Sequence, residues 1–256
     1  MMLALTACGA PPVSWSEAVR LDSAGVAVAG ARWRLVLDVH GAAPAARARV
    51  PHAPAPPGSC PGSAVTAREK GTAWHAAWWS ARADSSAALM VSRTVDDGIT
   101  WTPAFAADSG DRGRRGCARP APAIAADSAT GYVYVAYWQE PAGGGGEWLV
   151  HSMDHGVMWH PPLALGFGPD PAAADVAAQG DTVAVAYESP NANEGWIDLA
   201  LSSTAGHITD IREVAVSGRS VAARGPRAAL RGRSVAVAWL ADSGRLAMAR
   251  TGMLRP

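Results

Sequence analysis

The sequence predicts an all-β protein assembled from about five copies of one four-stranded antiparallel unit. Strand-like runs that follow a glycine turn and end in an aromatic residue recur at 72–78, 132–138, 182–187 and 234–239. Matching points are about 50–60 residues apart, which suits one four-stranded sheet per repeat. Long stretches with helical periodicity are absent from the sequence, so helical classes are excluded.

Each repeat has the same order of elements. A small, apolar first strand precedes the aromatic strand, and a third strand follows it after a variable loop. First strands are predicted at 120–126, 171–178 and 226–230, and third strands at 88–92, 148–152, 198–202 and 245–249. Small residues suit a crowded central axis and aromatic residues suit the wider space between sheets, so the pattern predicts a β-propeller.

The N-terminal residues can supply the strand that the last repeat lacks. Residues 13–20 look like a fourth strand with no unit before it, and the last unit, which ends at Pro256, has only three strands. We therefore expect the N-terminal strand to join the final blade and close the ring, which removes a free sheet edge. A sixth blade would have to lie in the weak first unit, where too few residues remain. The predicted blades are 24–57, 58–112, 113–167, 168–217, and 218–256 with 13–22.

Two turns between third and fourth strands share the pattern Ser/Thr-x-Asp-x-Gly-x-x-Trp. The aspartate carboxylate accepts hydrogen bonds from backbone N–H groups in such a turn, and the glycine supplies a positive φ. A decayed copy at 202–206 has Thr204 in place of the aspartate, and 250–252 is a fainter copy. The members are Thr94, Asp96, Gly98 and Trp101 in the first turn and Ser152, Asp154, Gly156 and Trp159 in the second.

This pattern resembles the Asp-box, or BNR repeat, of sialidase-like propellers. The resemblance implies that Asp96 and Asp154 hold turns on the outer rim, away from any catalytic centre. For an active sialidase it also implies three arginines that clamp a sugar carboxylate, a tyrosine nucleophile paired with a glutamate, and an aspartate acid/base.

The sequence offers few residues for that constellation. It has no Arg-Ile-Pro motif near the N-terminus. Tyr187 and Glu188 are adjacent on a strand, so their side chains point to opposite faces and do not form a catalytic pair. Arg119 and Arg227, at the starts of innermost strands, are the candidates for lining a central funnel.

The cysteines and the leader indicate export. Residues 1–12 read as a signal segment whose Leu-Thr-Ala-Cys end resembles a bacterial lipobox, with Cys8 as the lipidated residue; residues 13–256 form a single propeller domain. The segment lacks a basic start and is short, so a misassigned start, a truncated signal and a chance cysteine stay open. Cys60 and Cys117 precede equivalent units and predict a disulfide; two unpaired turn residues are the alternative.

Composition excludes other classes of function. The 22 basic and 22 acidic residues give a net charge of zero, which argues against nucleic-acid binding. No other stretch reaches the length of a membrane helix, so membrane contact is expected only through the lipid anchor. We expect no cofactor and no metal site, because the histidines show no ligand spacing with cysteine or carboxylate partners. They are read as turn residues: His75, His151, His155 and His160.

Two functions remain. The first is a monomeric binding or scaffold module, secreted or at the bacterial cell envelope, whose partner is a carbohydrate or an envelope protein. The second is a sialidase-like exo-glycosidase acting on an acidic sugar, which needs arginine, tyrosine and carboxylate groups to converge in the funnel. A degenerate fragment of a larger propeller is a third possibility, because fold alone does not determine function.

Overall fold

The computed structural model describes residues 13–21, 26–28, 31–33, 51–191, 195–219, 222–241 and 246–254. The regular structure of these residues is entirely β, as the sequence predicts. The leader with Cys8 lies outside the described residues, and so does most of the predicted first blade. That blade is represented by residues 51–57 and by one hairpin, β3 (Val26–Val28) with β4 (Ala31–Trp33). None of the described residues belongs to a helix long and apolar enough to cross a bilayer.

Three antiparallel sheets of four strands follow one another along the chain, each in sequence order. The first sheet consists of β5 (Val65–Lys70), β6 (Ala73–Ala81), β7 (Ala87–Thr94) and β8 (Phe105–Asp108). The second consists of β9 (Ala123–Ala126), β10 (Val133–Gln139), β11 (Gly146–Ser152) and β12 (Leu163–Phe167). The third consists of β13 (Ala174–Gln179), β14 (Thr182–Glu188), β15 (Ile197–Ser202) and β16 (Ile211–Glu213).

The fourth sheet combines both ends of the chain. Its consecutive strands are β17 (Arg224–Arg231), β18 (Ser234–Ala241) and β19 (Leu246–Leu254), and its outer edge is formed by β1 (Val13–Trp15) and β2 (Val19–Arg20). Both N-terminal strands pair antiparallel with β19. The N-terminal segment therefore forms the outer edge of the last sheet, as predicted from the sequence.

One predicted turn is wrong. The sequence predicts a faint copy of the turn motif at 250–252, but these residues lie within β19. Gly252 pairs with Trp15 on one side and with Val235 on the other. Because Gly252 is paired on both sides, the chain stays extended there and does not turn.

Neighbouring sheets pack through their inner strands and through aromatic side chains. The inner strand β9 contacts both β5 and β13, and β13 contacts β17. Between the first two sheets, the Trp79 and Tyr137 rings meet edge to face with centroids 5.7 Å apart, an arrangement that aromatic pairs favour. Tyr187 and Trp239 are buried in the corresponding places of the third and fourth sheets. The aromatic residues of the second strands therefore fill the space between sheets.

The predicted disulfide is confirmed. Cys60 and Cys117 are bonded, with their Cα atoms 5.2 Å apart. Cys60 is buried, and its N–H donates to the carbonyl of Trp79. The bond joins the segment that leads into the first sheet to the segment that leads into the second.

Candidate functional site

The sheets present two chemically different ends. One, here called the loop end, carries the loops between second and third strands and the connections from sheet to sheet, such as 82–86, 109–122 and 140–145. The other, the turn end, carries the turns at 94–101, 152–159 and 202–209. Because adjacent strands are antiparallel, these two groups of connections lie at opposite ends of each sheet.

A carboxylate network occupies the loop end between the first and second sheets. Asp108, at the end of β8, accepts hydrogen bonds from the Tyr137 hydroxyl and from the Gln139 side-chain amide, both at 2.5 Å. Burial, and then the Asp108 charge, hold the pKa of the Tyr137 hydroxyl well above its usual range. Tyr137 is therefore a neutral structural donor here and not an activated nucleophile.

Arg119 is enclosed in a second part of this network. Its side chain and that of Asp111 are both fully buried, and the guanidinium Nη2 lies 2.9 Å from the Asp111 carboxylate. The Arg119 Nε donates to the carbonyl of Gly116, and the guanidinium stacks on the Trp79 ring at 4.9 Å. Asp111 also accepts bonds from the backbone N–H groups of Ala87 and Glu140. Arg119 thus ties loops together and does not present its charge to a ligand.

Arg227 lies on β17 and is only half buried. Its Nη1 donates to the carbonyl of Pro226 at 2.7 Å, and its charge acts on Asp175 of the neighbouring inner strand β13. Burial raises the pKa of Asp175, while a bond from the Ala228 N–H and the Arg227 charge oppose that rise. Arg119 packs against Trp79 of the first sheet, whereas Arg227 acts on Asp175 of the third. The two candidate arginines share no hydrogen-bond partner in the described structure.

Glu147 is a buried carboxyl group that sequence reasoning did not single out. It lies near the start of β11, its side chain is 0% exposed, and neither carboxyl oxygen has a hydrogen-bond partner among the described residues. Burial, reinforced by the nearby charge of Glu188, raises the pKa of Glu147 well above its usual range. The alternation of side chains along β11 predicts that residues 147, 149 and 151 share one face. It does not predict that this face is buried against a neighbouring sheet.

The first turn of the turn end is held by its own side chains. The Thr94 hydroxyl donates to Asp96 at 2.6 Å and accepts a bond from the Gly98 N–H at 3.1 Å. Bonds from the hydroxyl and N–H of Thr100, and then from Thr94, lower the pKa of Asp96 to about 2. Gly98 has φ +82°, which explains why glycine is required at this position.

The second and third turns repeat this geometry. Ser152 donates to Asp154 at 2.8 Å, and Asp154 in turn accepts bonds from the N–H groups of Val157 and Met158. In the third turn Ser202 still accepts a bond from the Gly206 N–H at 3.1 Å, although Thr204 replaces the aspartate. The φ angles of Gly156 and Gly206 are +76° and +85°. The backbone of the turn is therefore retained where the aspartate is lost.

We expect Asp154→Ala to lower the free energy of unfolding by about 1–2 kcal/mol, because three donors lose one acceptor. Asp154→Asn keeps an oxygen in the same place and should cost less than half as much. Urea unfolding followed by tryptophan fluorescence measures both, with Met153→Ala in the same turn as the matched control. An equal loss for Asn and Ala would show that charge, not acceptor geometry, stabilises the turn.

Glu69 links the turn ends of the first two sheets. Its two carboxylate oxygens lie 2.7 Å from Nε2 of His75 and 2.7 Å from Nδ1 of His155. Burial raises the pKa of Glu69, but the two imidazole hydrogen bonds outweigh that effect and lower it overall. His75 and His155 are therefore hydrogen-bonded to a shared carboxylate and are committed to holding the second turn against the first sheet.

Three other histidines meet at the turn end between the second and third sheets. The His151 and His160 rings stack with centroids 4.4 Å apart, and the His207 ring lies 4.6 Å from His151 and 4.8 Å from His160. His151 is 2% exposed, His160 is half buried and His207 is exposed. Burial and then the two neighbouring imidazoles lower the pKa of His151 to about 4, so this ring is neutral at pH 7.

Sequence spacing did not reveal this cluster, because His207 lies in the following repeat. The signal that could have found it is the packing of each turn on the preceding sheet: Gly156 lies against His75, and Gly206 lies against Tyr134 and His151. If each turn packs on the sheet before it, the turn that contains residue 207 lies against the strand that contains residue 151.

Comparison with known proteins adds information on the fold. No protein-family model matches the chain, and no curated protein sequence matches it. Among solved structures, the NanB sialidase from Streptococcus pneumoniae matches with a TM-score of 0.52 and 8% identity, covering 80% of this chain and 52% of that one. The chain has a sialidase-like propeller fold.

Two further solved structures resemble the propeller less closely. A Hadza microbial sialidase matches with a TM-score of 0.49 and 14% identity over 71% of this chain and 42% of its own. A xylan β-1,4-xylosidase from Bacillus halodurans matches with a TM-score of 0.45 and 15% identity over 74% and 38%. The chain thus spans about half the length, or less, of the solved proteins it resembles.

Proposed function

We propose that this chain is an exported propeller that binds a ligand at the cell envelope and does not hydrolyse it. In this proposal five blades form a ring closed by the N-terminal strand, the turn motifs are Asp-boxes, and Cys8 carries a lipid anchor. The ligand is a carbohydrate or an envelope protein. The disulfide supports export, since such bonds persist in oxidising compartments.

The enclosure of Arg119 is the observation that carries the proposal. A sugar carboxylate needs guanidinium groups that are free to form paired bonds with it. Arg119 instead forms an ion pair with Asp111, and both side chains are completely buried. Arg115 of the same connection is paired with Glu140 at 3.0 Å. Two arginines of the loop end are therefore already paired with carboxylates of the protein, which favours recognition through shape and hydrogen bonds over an anion clamp.

The alternative, a sialidase-like exo-glycosidase, is favoured by two observations. The NanB sialidase shares the fold, and Arg227 is half exposed beside an inner-strand carboxyl, that of Asp175. An arginine and a raised-pKa carboxyl on adjacent inner strands are two of the group types that such chemistry uses. The structure places no tyrosine in contact with them among the contacts it describes.

A fluorogenic sialoside assay separates the two functions. We expect the purified chain to release no fluorophore above the rate of a heat-denatured sample, while a glycan array or an envelope-fraction pull-down registers binding by the native protein only. Turnover that is lost in Arg227→Ala but kept in Arg231→Ala, an exposed residue of the same strand, would establish the enzyme and overturn the binding module.

A further inference from the structure

The three histidines between the second and third sheets point to a ligand that the proposed function does not require. We propose that His151, His160 and His207 form a site for one divalent transition-metal ion, with Zn²⁺ as its representative, and that the ion links the two sheets at the turn end. One ligand atom from each ring lies within 4.8 Å of the others.

His151 is the residue that most needs such a partner. It is 2% exposed, and neither of its ring nitrogens has a hydrogen-bond partner among the described residues. Buried polar atoms are nearly always satisfied, so an unpaired imidazole in the protein interior needs an explanation. A metal ion bound from the open side of the cluster gives one of the two nitrogens a partner, and the exposed His207 leaves that side accessible from solvent.

The donor set selects the class of metal. All three ligands are imidazoles, which suit zinc, copper and nickel, whereas calcium and magnesium prefer oxygen donors. His207 has its Nδ1 2.7 Å from the carbonyl oxygen of Thr204. A carbonyl only accepts, so this nitrogen carries the hydrogen and leaves the Nε2 lone pair free. Such a bond to backbone is the usual way in which a protein orients a metal-binding imidazole.

Binding requires a modest closure. Three nitrogens at about 2.0–2.1 Å from a tetrahedral Zn²⁺ are about 3.4 Å apart, closer than the 4.8 Å spread observed. The stacked rings of His151 and His160 must also turn so that their lone pairs converge. His160 is half buried and His207 exposed, so both side chains have room to rotate. With three protein ligands, a fourth position remains for water.

The preceding repeat shows that the fold does not need these histidines. Counted from the first residue of each turn, the places of His151 and His160 are taken by Arg93 and Thr102 one repeat earlier, and that of His207 by Val157. There the Arg93 guanidinium donates to the His155 carbonyl at 3.1 Å and joins the sheets without a metal. The triad is therefore specific to one junction and is not a by-product of the repeat.

The same comparison supplies variants that the fold accommodates. His207→Val and His160→Thr install the residues found at the equivalent places, and His52→Ala removes an exposed histidine outside the cluster. Titration of the metal-free full chain with Zn²⁺, read by competition with a chromophoric chelator, should give one site. Each cluster variant should weaken it at least about 100-fold, beyond the 10–100-fold typical of losing an outer-shell partner, and His52→Ala should not change it.

Cobalt gives a readout of geometry that does not depend on stability. Co²⁺ added to the wild type should produce the intense visible bands of a tetrahedral complex, and His207→Val should abolish them while its circular dichroism in chelator stays that of the wild type. No stoichiometric Zn²⁺ binding, or equal affinity in His207→Val and wild type, would overturn the site. Binding that is lost in His155→Ala and kept in His207→Val would overturn it too, because the ion would then belong to the Glu69 group.

Discussion

Replacing both Cys60 and Cys117 by alanine should lower the free energy of unfolding by about 4 kcal/mol. The bond closes a loop with a sequence separation of 57 residues, and the chain entropy that it removes from the unfolded state amounts to about this value. The loop contains the entire first sheet, so the disulfide ties the start of one repeat to the start of the next. A loss of this size is comparable to much of the stability of a typical domain.

Urea unfolding of the full chain with and without a thiol reductant tests this prediction. The reduced wild type should unfold at the same lower urea concentration as the double alanine variant, and the reductant should not affect that variant further. Cys8→Ala is the matched control, because its midpoint should respond to reductant as the wild type does. An oxidised wild type that is no more stable than the reduced protein would show that the bond contributes nothing.

The sequence predicted the features that local rules determine. The turn around Asp154 could be predicted because its hydrogen bonds join atoms no more than four residues apart. The pairing of β1 with β19 followed from counting strands, since one end lacked a strand that the other end supplied. The Cys60–Cys117 bond followed from the equivalent places of two residues in two repeats.

Features that depend on contacts between repeats were predicted less well. Arg119 was expected to line a funnel, but Asp111 from the same connection neutralises it inside the protein. The spacing of charged residues along the chain does not show which of them fold back on each other. The sequence predicts exposed turn residues at the histidines, but His75 and His151 lie within β6 and β11 and are buried. His207 then reaches His151 across a sheet boundary. These outcomes depend on which face of one sheet packs on the next.

Glu147 is the clearest case of such a contact, and it leads to the second large effect. We expect Glu147→Met to raise the free energy of unfolding at pH 7 by about 2–4 kcal/mol. An unpaired buried polar group costs about 1–3 kcal/mol, and removing a buried ionisable group adds to the gain. Methionine is unbranched like glutamate and fills the same space with apolar atoms.

The pH dependence identifies the cause of this gain. The pKa of Glu147 is raised in the folded protein, so above the ordinary pKa of a glutamate the unfolded chain releases a proton that the folded chain retains. The contribution of Glu147 to the stability of the folded protein therefore falls as the pH rises, by up to about 1.4 kcal/mol for each unit between the two pKa values. Glu147→Gln removes the titratable group but keeps a polar side chain of the same size at this position.

Glu147→Gln should therefore equal the wild type near pH 4 and exceed its stability increasingly as the pH rises to 8. Glu147→Met should exceed both across the whole range, because it also removes the unpaired oxygens. Glu17→Gln, an exposed glutamate near β2, is the control and should match the wild type at every pH. A Glu147→Gln protein that is less stable than the wild type at pH 8 would mean that the carboxylate is ionised and stabilised in the folded state. The group would then be a charged site held ready for a partner, and not a neutral acid sealed between two sheets.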